Sequence, residues 1–350
     1  MSDSNNEQGN KDQMQPPKPE EPKKQQKPFT YRDTLPINVE VNMQPYPSAP
    51  PSPPLPVPED DDPRTSKALD LSEAISRYVP DGIESLAIGG MHMHNCPMAL
   101  IREIVRQKRH IKRLITSPAA SINADLLIGA GLVEEVVTAY IGFEYLGLAP
   151  AFRRFAQAGR LKVYEIDELS LVLGLRAGAA NQPFVALPPG LEFSDVSRAN
   201  PEFYKTATDP FTGRTVLAAP AIKPQVALIS VQQADKFGNS AFKGAAFTDR
   251  EMVMAAQTAI VQTEQIVSSD LLTRNPLLVN LPGGYVTGLV EASFGCHPTS
   301  SHRIYHYEEA HLKEYLQMAA TAEGFERYLE TYVYGVSEVD YLSKTAVAAG

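Results

Sequence analysis

Residues 86–109, LAIGGMHMHNCPMALIREIVRQKR, constrain this chain most. A short apolar run ends at Gly89-Gly90, a loop follows, and Pro97 opens an amphipathic run. Such a stretch reads as strand, glycine turn and helix. Glycine permits positive φ and close approach of a ligand to the main chain. Proline pre-sets the first helical φ, and a helix N-terminus attracts negative charge. The same alternation recurs downstream. Strands are expected at 85–88, 111–115, 134–140 and 161–165, with helices at 97–107, 123–130, 152–158 and 169–180. Further short strands are expected at 218–220, 226–230, 260–263 and 288–291, with a helix at 66–78 and a helical run over 311–344. Strands alternating with helices predict an α/β fold: an open, mostly parallel sheet flanked by helices.

Residues 1–66 stand apart. They hold 15 of the 29 prolines, amid lysine, glutamine and acidic residues, with almost no apolar periodicity. This composition cannot bury enough surface to offset chain ordering, so a disordered, proline-rich arm is expected. Its PxxP spacings suit either a proline-reading partner or a solvated tail. Residues 67–350 form the expected folded domain.

A net charge of −9 argues against a nucleic-acid surface. No apolar run reaches the roughly 18 residues of a membrane span. Two cysteines, Cys96 and Cys296, and the lack of a signal-like start point to the cytoplasm.

His92, His94 and Cys96 alternate, so an extended backbone would place them on one face. Three readings fit: a zinc clamp, a substrate-lining loop that includes Asn95, or a packed turn. With no second Cys/His cluster nearby, no metal is expected. Asp167 and Glu168 open a helix after a strand. They suit either capping of that helix or a Glu168 base at the sheet edge. Gln232, after the 226–230 strand, and Asn239, in the turn ADKFGNSAFKG, are candidate substrate-binding residues, although that turn would be tight whatever the function. His297, in GCHPTS, is a further candidate, and an exposed loop histidine is the simpler reading. Glu264, just past a strand, would need a hydrogen-bonded or ionic partner if buried.

The collinear segments GG(x)6PMA at 89–99, DLLIGAGLVEEVVTAYIGFE, FRRFAQAGRLKVYEID, LRAGAANQPFVALPPGLEFSD, APAIKPQVALISVQQADKFGNSAF, VQTEQIV and VEASFGCHPTSS resemble the alpha (A) subunit of family I coenzyme A transferases, glutaconate CoA-transferase type. The resemblance spans roughly residues 71–341. It implies an open α/β fold and a beta-like partner subunit, paired as α2β2. The substrates would be an acyl-CoA, which brings in coenzyme A, and a carboxylic acid. The partner would supply the glutamate that forms a glutamyl-CoA thioester, while the 89–97 loop, with Gly89 and Gly90, would steady an oxyanion. The chain is also similar to the alpha-type subunit of the steroid ring-opening CoA-thioester hydrolase. That hydrolase carries an acidic pair where Asp167-Glu168 stand, whereas glutaconate-type transferases tend to place glutamine at the position of Glu168. The hydrolase arginine expected near Leu187 is missing. The resemblance therefore implies half of a transferase first, a hydrolase with Glu168 as base second. A non-catalytic scaffold that binds through its arm is a third reading.

Overall fold

The computed structural model describes residues 65–345, so all but the last two residues of the proline-rich arm lie outside the described residues. The main sheet has eight strands, seven of them parallel: β1 (Ile83–Ile88), β2 (Ile111–Thr116), β3 (Val133–Thr138), β4 (Lys162–Glu165), β5 (Val226–Asp235), β6 (Thr258–Val267) and β7 (Gly288–Glu291), while the short Ser240–Ala241 strand pairs antiparallel with β5. Their order is β7-β6-β5-β1-β2-β3-β4. Leu86 pairs with Val226 on one side and Leu114 on the other. The fold class is the one the alternation predicts.

Side chains along a strand point alternately to opposite faces. Leu86, Ile88, Leu114, Val136, Leu228, Ile260 and Val290 share one core cluster. Ala87, Ile115, Val137 and Ala227 lie in a second, on the opposite face, and Ile229, Val261 and Leu289 continue that face in a third. Both faces are thus apolar, as a covered parallel sheet requires. The first is packed by α1 (Leu71–Tyr78), α2 (Met98–Arg106), α3 (Ile122–Gly129) and α4 (Pro150–Gln157). The second carries α5 (Glu168–Ala179) and α6 (Asp249–Ala255). The C-terminal helices α7 (Glu309–Met318), α8 (Ala322–Tyr332) and α9 (Glu338–Ser343) complete the first core.

Three expectations need correction. Residues 66–70 are not helical, because Asp70 caps α1 by accepting the Ser72 N–H at 2.8 Å. Lys67 and Leu69 instead run beside β7, Leu69 N–H donating to Leu289 O at 2.8 Å. The run 311–344 breaks into three helices, with Thr321 and Ser337 capping the second and third. Thr215–Pro220 pairs antiparallel in a separate small sheet with Phe184–Ala186 and Lys205–Thr208.

One buried ion pair ties α2 to α9. Arg102, 2% exposed, meets Glu338 at 2.5 Å, donates to His297 O at 2.7 Å and lies 3.8 Å from the centre of the Tyr341 ring. Removing one partner of such a pair strands the other charge. Glu338→Ala is expected to cost about 3–5 kcal/mol of unfolding free energy, read by urea denaturation. A loss near zero would contradict the structural weight given to this pair.

Candidate functional site

From β1 and β5 the chain winds outward in opposite directions. In an open sheet, the crevice at the carboxyl ends of such a pair is where ligands are received. The β1–α2 loop fills it. Gly90 sits at φ 82°, and a Cβ there would lie 2.8 Å from the Cys96 backbone. A Cβ on Gly89 would lie 2.7 Å from Asp249 Oδ1. These glycines serve space and a left-handed turn. The Gly89 N–H donates to Leu228 O at 2.8 Å and the Gly90 N–H to Asp249 Oδ1 at 3.0 Å. The oxyanion role expected of Gly89 and Gly90 is therefore corrected: both donors are used inside the fold.

His92 and Asn95 also have positive φ, 51° and 54°. Met91 and His94 bond each other through both backbone pairs, at 2.9 and 3.0 Å. The loop is a tight turn rather than an extended run, so His92, His94 and Cys96 share no face. His92 lines one cavity and His94 another. Cys96 enters the core, where burial pushes its thiol up to about 12. Among the described residues no three His, Cys, Asp or Glu side chains are grouped as metal ligands.

The first cavity, about 430 Å³, is walled by His92, Tyr140, Glu144, Glu165, Asp167 and Glu168. His92 Nδ1 lies 3.1 Å from Glu144 Oε1, although its geometry does not make a hydrogen bond. Asp167 takes the capping role: its Oδ1 accepts the Ser170 N–H at 3.0 Å and its Oδ2 the Tyr204 hydroxyl at 2.8 Å. That leaves Glu168 exposed on the cavity wall, with no hydrogen-bond or ion-pair partner among the described residues. The cavity has four acids and neither lysine nor arginine on its wall.

The second cavity, about 390 Å³, is lined by His94, Ser300, His302, Arg303, Tyr305 and His306, with Ile304. Here no carboxylate stands on the wall. Burial and the neighbouring His302 lower the pKa of His94.

Asn95 and Gln232 lie behind these walls, fully buried, and bond each other at 3.0 Å. Asn239 closes its turn by donating to Asp235 Oδ2 at 2.8 Å and accepting the Gly283 N–H at 2.9 Å. His297 is 1% exposed, with Tyr341 hydroxyl 2.8 Å from Nδ1 and Glu308 Oε2 2.7 Å from Nε2. Burial, followed by the Arg102 charge, pushes it down to about 3. Neither cavity is lined by Gln232, Asn239 or His297. Glu264 is buried with both oxygens engaged, by the Tyr305 hydroxyl and the Phe294 N–H, each at 2.6 Å.

Sequence reading missed the 301–306 stretch SHRIYH, whose density of basic side chains was a visible signal. It also missed Asp249, which no local pattern marks. Asp249 is fully buried beneath the glycine turn, its Oδ2 has no partner, and burial pushes it up to about 8. Its folded pKa exceeds the unfolded value, so the native state holds the extra proton. Its contribution to stability therefore falls as pH rises from about 4 to about 8. Asp249→Asn, which mimics the protonated acid, is expected to raise the melting temperature at pH 8 more than at pH 4. An equal effect at both pH values would contradict this protonation state.

The family model "Coenzyme A transferase" matches residues 68–292. The alpha (A) chain of the glutaconate CoA-transferase of Acidaminococcus fermentans is 30% identical over 296 residues, covering 80% of this chain and 92% of that one. The crystal structure of that enzyme superposes with a TM-score of 0.75 over 80% of this chain and 92% of its own. The cholesterol ring-cleaving hydrolase IpdA subunit of Rhodococcus jostii is 31% identical over 290 residues, covering 79% and 95%. An uncharacterized protein of Archaeoglobus fulgidus is 36% identical over 275 residues, 78% of this chain, and this match spans only 60% of that longer protein.

Proposed function

This chain belongs to the coenzyme A transferase family, and we propose that it is the alpha subunit of a heteromeric enzyme moving coenzyme A between carboxylic acids. The observation that carries this reading is the state of the groups behind the switch-point loop. The Cys96 thiol is sealed and held protonated, Asp249 is sealed under the glycine turn, and both Glu264 oxygens are engaged. None of these three groups behind the loop is free to act as a covalent catalyst. In this reading the nucleophile is a glutamate of a partner subunit. It takes coenzyme A from one acyl thioester as a glutamyl thioester and passes it to a second acid. Pairing as α2β2 is part of the proposal.

A second reading rests on Glu168. It is an exposed carboxylate beside the His92 wall of the first cavity, with Asp167 taking the capping role. Such a group can take a proton from water attacking a thioester or a ring carbonyl, as hydrolysis requires.

The two readings separate in one variant. In the complex with its partner subunit, Glu168→Gln is expected to leave acyl-CoA:carboxylate exchange largely intact. If hydrolysis is the native reaction with Glu168 as base, the variant loses about 10²–10⁴-fold in thioester hydrolysis. Loss of exchange on that scale would overturn the assignment of the nucleophile to the partner subunit, and a wild-type complex that hydrolyses acyl-CoA without exchanging it would overturn the transferase reading of this chain.

A further inference from the structure

The switch-point loop separates two cavities of opposite character. On the His92 side the wall carries Glu144, Glu165, Asp167 and Glu168; on the His94 side it carries three histidines, Arg303 and no acid. In a chain with net charge −9 the second cavity is a local exception. Arg303 is exposed at its wall and is paired with no carboxylate among the described residues.

A buried relay fixes what His302 presents there. The Lys243 backbone N–H donates to Gln232 at 2.8 Å, and a backbone N–H can only donate, so that atom is the amide oxygen. Gln232 Nε2 then donates to Asn95 Oδ1 at 3.0 Å. The His302 backbone N–H donates to the same Oδ1 at 3.0 Å, which fixes the Asn95 amide a second time. Asn95 Nδ2 must therefore donate to His302 Nδ1, 3.0 Å away. The Nδ1 lone pair is used, and the ring proton sits on Nε2. Burial lowers the pKa of His302, which keeps the ring neutral with that single N–H. Gly244 is part of the fit, since a Cβ there would lie 2.4 Å from His302 Nδ1.

We infer that the cavity between His94, His302, Arg303 and His306 is a binding site for an anionic oxygen group, carboxylate or phosphate. The Arg303 guanidinium supplies the charge and the His302 Nε2–H a hydrogen bond of fixed direction. The opposite cavity repels the same group through its four acids. The site does not depend on where the nucleophile of the proposed reaction resides.

The test is histidine ¹⁵N NMR on the full chain, titrated separately with glutarate and with inorganic phosphate. Free protein is expected to show His302 as the Nε2–H tautomer. A saturable shift of the His302 Nε2 signal, with His297 and His311 unmoved, supports the site. A response to glutarate alone assigns it to a carboxylate, and a response to phosphate alone to a phosphate. Arg303→Gln is expected to weaken binding at least about tenfold, the scale of one charged hydrogen bond. His302→Gln, which keeps a donor, is expected to retain more affinity than His302→Leu. A different tautomer, no shift at millimolar anion, or equal binding by Arg303→Gln would overturn the inference.

Discussion

Asn95 is the point on which the organisation of the crevice depends. Its side chain accepts from Gln232 on β5 and from the His302 main chain, donates to the His302 ring, and its N–H donates to Ser300 O at 2.7 Å. Three parts of the chain far apart in sequence are joined by one fully buried amide. Buried polar groups left without partners are costly, so such a network holds one arrangement and disfavours slippage. The positive φ at Asn95 and the left-handed Gly90 are the backbone conditions for that arrangement.

With the loop so fixed, the sheet edge is divided. His92 and His94 are two residues apart, yet the tight turn sends them into separate cavities, one walled by acids and the other by basic side chains. Four acids on one wall and the Arg303 charge on the other sort ligands by charge before any specific contact is made. The cores beneath are conventional for a sheet apolar on both faces, and the Arg102–Glu338 pair anchors α2, the helix that begins where the loop ends. The loop is thereby held from both of its ends.

Much of the sheet was legible from residues alone, because each strand is a short apolar run bounded by glycine, proline or a helix cap. The edge 288–291 was read to the residue, and α5 to within one residue at each end. The small antiparallel sheet was not, since KTAT and FVA are short, half-exposed segments stabilised by pairing with 215–220 rather than by their own pattern. Glu168 and His92, both singled out in the sequence, share a cavity wall. Gln232, Asn239 and His297 were misjudged for one physical reason. Gln232 lies inside β5, which runs on to Asp235, while Asn239 and His297 follow strand ends; polar residues at such places serve equally to close turns and to satisfy buried neighbours, and only tertiary contacts distinguish these uses. The glycine pair misled differently: it was read as a source of free N–H donors when the tertiary demand was for space beside Asp249.

The measurement that bears most directly on the proposed alpha-subunit role is to co-express this chain with a beta-like partner, incubate the purified complex with acyl-CoA, and reduce it with borohydride. Borohydride converts an enzyme-bound glutamyl thioester to an alcohol and spares free carboxylates. Mass spectrometry is expected to find one reduced glutamate in the partner and none in this chain. A reduced glutamate in this chain, or release of free coenzyme A with no reduced residue in either polypeptide, would contradict that role.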